Sequence, residues 1–495
     1  MITVIMRKFT IIFTIFVLFI TACSDSYEHG EHLINAENYG GLAFADKSVP
    51  VNEPVEVIPV IASTFESYSE AEPFSELTEP EEETTTSEQA SSTQETTTAA
   101  TTSATQATTT ATYATQPPVI DITPSVRPTI NYDEVIGVWI SYIELSGILT
   151  GKTEAQFRQS YGAMMDNCKS LGINTVYVHL RPFGDALYKS EYFPWSKYVT
   201  GTIGMVPTFD PLEVMLEETH KRNISFHGWL NPMRLHSDAD IDKISEVFAV
   251  GKWYNDVNAR GKYIVKCGGN WYLNPAYSEV IELIGNGAAE IVSKYNVDGI
   301  HIDDYFYPVT DSWFDSAAFN SSSYTSLSAF RLNNCSNMVR VLYSSVKKVN
   351  PNALFGVSPQ GSIENNYNLM FADVEKWCKN PGFVDYIAPQ FYYGFENSTQ
   401  PYIECINGWQ KMLENSDVKL IMGLAVYKIG AEDRWAGDGL REWIDNKQIL
   451  RRQIDEARKL KSYSGIAFYS YNWLFNPVHL TPAIEAEIAA FKPLL

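Results

Sequence analysis

Basic residues are scarce in this 495-residue chain, with 37 Lys and Arg against 59 Asp and Glu and a formal charge of −22. Phosphate-backbone recognition needs the opposite excess, so nucleic-acid binding is excluded. Cysteine is scarce too: the six are scattered, with neither the spacing of a disulfide framework nor that of a zinc site. Three of them, Cys168, Cys335 and Cys378, fall within helical patterns and read as buried free thiols. Also missing is the glycine-rich first turn that an open dinucleotide-binding sheet carries. Apolar content is ample at 45%, enough for at least one large core.

The opening run MITVIMRKFTIIFTIFVLFITAC sets Arg7 and Lys8 before an apolar stretch, Phe9 to Ile20, that is too short to span a bilayer comfortably. It reads as an export signal over residues 1–22. Its end, Thr21, Ala22, Cys23, resembles the lipobox of bacterial lipoproteins. That resemblance implies acyl chains on Cys23 and a chain held on the outer face of the cell membrane without crossing it. Residues 23–130 hold 18 acids against Lys47 and Arg127, and much of the segment is Thr, Ser, Ala, Gln, Glu and Pro. Such a composition cannot bury enough apolar surface to fold, and it reads as a disordered acidic linker, either a stalk or a tail with no spacer role.

From residue 131 to 495 the pattern changes. Short apolar, β-rich runs recur at 137–143, 175–180, 225–230, 299–304, 353–359, 385–392, 419–427 and 465–471. Helical periodicity fills the intervals, as in Glu154–Leu171, Pro211–Arg222, Ser278–Tyr295, Leu327–Val349 and Leu440–Lys461, with a last helix over Thr481–Leu495. Eight alternating units predict an α/β fold of the (β/α)8 TIM-barrel type, whose chemistry sits at the C-terminal strand ends.

Those ends carry polar and aromatic residues together. His179, Arg181 and Asp185 follow the second run, with Trp195 beyond them. His227, Trp229, Asn231 and Arg234 follow the third. Gln390 and Tyr392 close the sixth, Tyr427 the seventh and Trp473 the eighth. Aromatic faces stack on sugar C–H surfaces while amide, guanidinium and imidazole groups bond hydroxyls, so this set predicts a glycan-binding rim; single aromatics can equally be packing. The fourth run, DGIHIDDYFYP (298–308), is the most specific. Strand alternation puts His301 and Asp303 on the barrel-facing side, and Asp304 can turn into the same cleft where the strand ends. Two neighbouring carboxyls can split their pKa values into an acid and an ionised partner, which glycoside hydrolysis requires; a cluster of loop-holding hydrogen bonds would use the same residues. Asp185, Glu364, Glu396 and Glu432 are further candidates for the second carboxylate, and Asp298 reads as structural. His179, His227 and His301 have compatible parity for a metal, but no strand carries a paired histidine motif, and bonds to substrate explain them as well. Neither metal nor cofactor is called for.

Five segments in order, VYVHLRPFGDALYKSEYFPWSKYVTG (176–201), FDPLEVMLEETHKRNISFHGWLNPMR (209–234), VDGIHIDDYFYP (297–308), FGVSPQG (355–361) and VDYIAPQFYY (384–393), resemble the glycosyl-hydrolase-like family ten barrels, which include divisome-localised glycosyl hydrolases. The resemblance spans nearly everything after residue 134. It implies a glycosidase of the bacterial envelope acting on peptidoglycan glycan strands, some relatives being similar to enzymes that cut strands stripped of stem peptides. It also implies that Arg181, Asp185, Asn231, Arg234, Asp303, Asp304 and Gln390 line the cleft. Two departures stand out: Gly228 where the family often has alanine, and Gln360 where SPFG is commoner. The alternatives are a glycan-binding lipoprotein on a retired scaffold, a metal-dependent polysaccharide hydrolase or deacetylase, and a hydrolase of plant or host glycans.

Overall fold

Barrel interiors must be filled by side chains from alternate strand positions, and here the filling is aromatic. The computed structural model describes residues 126–495; the export signal, Cys23 and nearly all of the acidic linker lie outside them. Eleven strands occur among the described residues: β1 (Val135–Ile140), β2 (Thr175–Arg181), β3 (Ser225–Leu230), β4 (Arg234–Ser237), β5 (Ile264–Cys267), β6 (Asn270–Leu273), β7 (Gly299–Ile302), β8 (Leu354–Val357), β9 (Tyr386–Ile387), β10 (Lys419–Ala425) and β11 (Tyr463–Tyr469). Eight of these close into a parallel barrel in the order β1-β11-β10-β9-β8-β7-β3-β2, with helices between successive strands, which is the (β/α)8 architecture.

The register explains the interior. Trp139 is level with Tyr177, Tyr177 with His227, and His227 with Gly299, so large rings meet around one layer until a glycine makes room. A Cβ on Gly299 would come within 2.5 Å of the His227 ring, and one on Gly356 within 2.0 Å of the Tyr386 ring. One step higher, His179, Trp229 and His301 are level with one another, and Asp303 stands just above that layer. Ile300 and Ile302 are fully buried on the helix side of β7, as alternation requires.

Outside the barrel, local signals set the helix ends. Thr153 and Gln156 form a capping box at the start of Glu154–Leu171, and Gly172, at φ +89°, closes it. Asp210 caps Pro211–His220, and Ser326 caps Leu327–Val349. Expected and observed bounds part in several places. The first strand stops at Ile140 because Ser141 begins a new helix, Tyr142–Leu149, boxed by Glu144. The sixth strand shrinks to Tyr386–Ile387, and beyond Pro389, which has no N–H to give, the chain keeps only isolated bridges from Gln390. The expected helix Leu440–Lys461 is two pieces, Glu442–Asp445 and Ile449–Ala457, parted where Gln448 takes φ +58°. A small antiparallel sheet, β4-β6-β5, was not foreseen; its strands are four residues each, too short for a period to show.

The barrel also takes up residues assigned to the linker. Arg127 donates to the Ser293 carbonyl at 2.7 Å, Thr129 to that of Asn352 at 3.2 Å, and the Ile130 N–H to Asp298 Oδ1 at 2.6 Å. Cys168, Cys335 and Cys378 are buried free thiols, as expected. No helix among the described residues is long and apolar enough to cross a membrane.

Candidate functional site

Strand β7 delivers two carboxyls to the mouth of the barrel. Asp303 Oδ2 accepts the Trp229 Nε1–H at 3.0 Å and Oδ1 accepts the Tyr305 N–H at 3.3 Å, which draws it toward β3. Asp304 leans the other way, its carboxylate accepting the side-chain amides of Gln360 and Gln390 from the loops after β8 and β9. Burial raises the pKa of both, and Asp303, only 4% exposed, goes furthest because the Asp304 charge adds to its desolvation. Asp304 is half-buried. Asp298, before the strand, accepts from the Phe226 N–H and pairs with His220, both at 2.8 Å, the structural role foreseen for it.

Beneath the pair lies a neutral polar stack. His179 lies face to face with Trp229, ring centroids 3.7 Å apart and planes 7° apart, while its Nε2 bonds Asn231 Oδ1 at 3.2 Å. Asn231 in turn donates to the Pro182 carbonyl at 3.3 Å. Deeper, the Trp139 indole N–H donates to His301 Nε2 at 3.1 Å, which leaves the proton on Nδ1 facing the Tyr386 hydroxyl at 3.0 Å. That hydroxyl then gives its own proton to His227 Nδ1 at 2.9 Å. Burial lowers all three histidines, His227 to about 4 and the others well below their usual range, so they are neutral at pH 7. His227 and His301, read as substrate contacts, are buried in the barrel interior, where Tyr386 bonds both and Trp139 bonds His301. Among the described residues no three His, Cys, Asp or Glu side chains are arranged to hold a metal ion.

The loop after β2 also departs from expectation. A bulge between His179 and Arg181 turns Arg181 out of the strand's alternation, toward the helix Ser278–Lys294, where Gly287 leaves the space. Its guanidinium lies 4.4 Å over Phe193, is 1% exposed, and burial brings its pKa down to about 10. Asp185 is fully buried and faces His236 Nε2 at 3.1 Å. Both side chains are closed off from solvent. Trp195 is half-buried, bridged to Ala186 within this loop. Arg234 does reach the site: its guanidinium lies between Phe183 (4.6 Å) and Tyr305 (4.9 Å), and its charge favours the ionised form of Asp303.

Across the mouth, strands β9 to β11 supply aromatics. Tyr392, Tyr427 and Tyr469 meet with centroids 5.9 to 6.1 Å apart, and Trp473 continues the group at 6.4 Å from Tyr427, backed by His479 at 4.5 Å. Desolvation pushes the phenols of Tyr392 and Tyr469 up, and nearby charge adds to it, that of Asp304 and Asp303 at Tyr392 and that of Glu144 and Asp303 at Tyr469. Tyr305, next to Asp304, and Tyr469, four residues before Trp473, were not singled out as site residues from the sequence. The other proposed carboxylates stay outside: Glu364 is exposed, Glu396 bonds Asn446 at 2.8 Å, and Glu432 pairs with Arg441.

The family model described as glycosyl hydrolase-like 10 matches residues 134–437. Glycosyl hydrolase YngK of Bacillus subtilis is 31% identical over 368 residues, covering 70% of this chain and 69% of its own length. Glycosyl hydrolase DigH of Escherichia coli K12 is 29% identical over 372 residues, covering 69% and 84% respectively. Among solved structures, the glycoside hydrolase domain of PgaB (BpsB) from Bordetella bronchiseptica superposes with a TM-score of 0.45 at 12% identity, covering 73% of this chain and 99% of that one. The catalytic domain of a Paenibacillus polymyxa β-amylase gives 0.46 at 9% identity, covering 74% and 98%.

Proposed function

Since the chain belongs to the glycosyl hydrolase-like 10 family, we propose that it is a glycoside hydrolase whose acid/base chemistry is carried by Asp303 and Asp304. The observation that carries this reading is the asymmetry of the pair. Asp303 is desolvated beside a second negative charge, and Asp304 receives two neutral amide donors. Both carboxyls are raised, Asp303 the further of the two, so Asp303 is the one disposed to hold a proton for the oxygen of a departing sugar. Arg234 and Trp229 then steady the Asp303 carboxylate once that proton has gone. The aromatic group Tyr392, Tyr427, Tyr469 and Trp473 supports a saccharide lying across the mouth.

The substrate we propose is the glycan strand of peptidoglycan. It accords with a lipobox-like Cys23 that would carry acyl chains, and with a stalk that would let the barrel reach into the wall from the outer face of the membrane. The test is incubation of the full chain with intact and with peptide-stripped peptidoglycan, the fragments being read by mass. Muropeptide-free saccharides from the stripped strand are expected. Retention of both polymers at full length, with tight binding, would instead mark a glycan-binding protein.

A further inference from the structure

This inference rests on the hydrolase reading and concerns which sugar the site can cut. Retaining and inverting glycosidases with two catalytic carboxyls place them on opposite sides of the anomeric carbon, about 5–5.5 Å or about 6.5–9.5 Å apart. Asp303 and Asp304 are consecutive residues on one strand end, so they approach a sugar from a single side. Of the acids on the loops around the rest of the mouth, Glu144, Asp433, Glu442, Glu396 and Glu432 are held by structural partners, and Glu364 is exposed on the loop after β8. Glu144 accepts from Ser470 Oγ and the Asn472 N–H, both at 2.7 Å. Asp433 pairs with Lys428 at 2.7 Å, and Glu442 accepts the N–H groups of Phe395 and Glu396 at 2.8 and 2.9 Å. Asp185 is fully buried with His236 Nε2 3.1 Å away and neither of its oxygens hydrogen-bonded, closed off from a sugar at the mouth, and Glu396 and Glu432 are engaged on the outer loops. What does stand near the pair is a set of phenols, Tyr392 and Tyr469, which desolvation keeps neutral and which therefore donate hydrogen bonds rather than attack carbon.

We propose that the substrate brings its own nucleophile: the sugar in the cleavage subsite is a 2-acetamido-2-deoxy sugar, and its acetamido carbonyl oxygen attacks the anomeric carbon. The bond from C1 to the leaving oxygen breaks with its electron pair going to that oxygen, which takes the proton of Asp303. The carbonyl oxygen forms the new bond to C1, and the resulting oxazolinium ion places its positive charge beside ionised Asp304, which accepts the acetamide N–H. Water then bonds to C1 and gives a proton to the Asp303 carboxylate. The C1–oxygen bond of the ring opens, its electron pair returns to the acetamide, and the product keeps the anomeric configuration of the substrate.

Two arms test this with the full chain. In the first, the wild type and Asp304→Asn are titrated calorimetrically with the thiazoline of N-acetylglucosamine, a stable sulfur analogue of the oxazoline. The wild type is expected to bind and the variant to bind about tenfold or more weakly; no binding by the wild type, or equal binding by both, overturns the proposal. In the second, peptide-stripped glycan and the same glycan chemically de-N-acetylated are offered as substrates. The de-N-acetylated strand is expected to be cut at least about 100-fold more slowly, and nuclear magnetic resonance should show first-formed product of retained configuration. Equal rates on both strands, or inversion, overturn the neighbouring-group assignment and leave the hydrolase standing. Failure to cut either strand removes the hydrolase itself.

Discussion

Trp229 shows how a single side chain can have a different task from the one its type suggests. Its aromatic face promised a sugar platform, but that face is covered by His179 and its indole N–H is committed to Asp303. The hydrogen bond favours the ionised carboxylate, so Trp229→Phe, which keeps the stack and loses the donor, lets Asp303 hold its proton to higher pH. The alkaline limb of the rate profile should therefore move upward in the variant; a limb that stays in place would show that Asp303 is not the acid. Stability should respond in the opposite sense to activity. Both carboxyls have folded pKa values above those of the unfolded chain, so their contribution to stability is fully present below the ordinary carboxylate range and is lost as the pH rises through the folded values. Asp303→Asn removes that penalty. Denaturant unfolding should find it more stable than the wild type by about 1 kcal/mol or more at pH 7, with no difference near pH 3.

At the scale of elements, what was legible depended on the length of the signal. The helices Glu154–Leu171 and Leu327–Val349 could be read to the residue because each combines a long apolar stripe with a capping residue. The strand positions were legible as short β-rich runs, but their ends were not, since neighbours in the barrel decide where pairing stops. The bulge that diverts Arg181 likewise depends on register with β3, and register has no local signature. Hence Arg181 and Asp185, expected at the rim from the strand end and from the family resemblance, are both buried, one over Phe193 and the other facing His236. Gly228, a departure from the usual family pattern, lies against Leu180 between strands and away from the carboxyl pair. Interior glycines have a sharper meaning. Gly356→Ala drives a methyl into the Tyr386 ring and should lower stability by about 1–3 kcal/mol in urea unfolding, because overpacking forces the ring off its bonds to His227 and His301. An unchanged midpoint would mean the interior is looser than its register indicates.

For the molecule as a whole, the alternation of eight strands and helices was sufficient to give the barrel, and the barrel gave the end at which to look for chemistry. The domain's edge was harder to read, because Arg127 to Ile130 look like linker in composition and are held by bonds to residues more than 160 positions away. A chain beginning at residue 126 should therefore be more stable than one beginning at residue 131, by about 1–2 kcal/mol for the lost hydrogen bonds, as thermal unfolding of the two would show. The carboxyl pair was legible because adjacent acids at a strand end are unusual, whereas the histidine chain below it was visible only as parity. The central claim is that Asp303 gives the proton that breaks a glycosidic bond. Its most direct test is the rate of reducing-end release from peptide-stripped glycan by wild type and by Asp303→Asn, with glycan binding and unfolding measured alongside. A loss of several powers of ten in rate with binding and fold intact is predicted; hydrolysis at the wild-type rate in the variant would contradict the account.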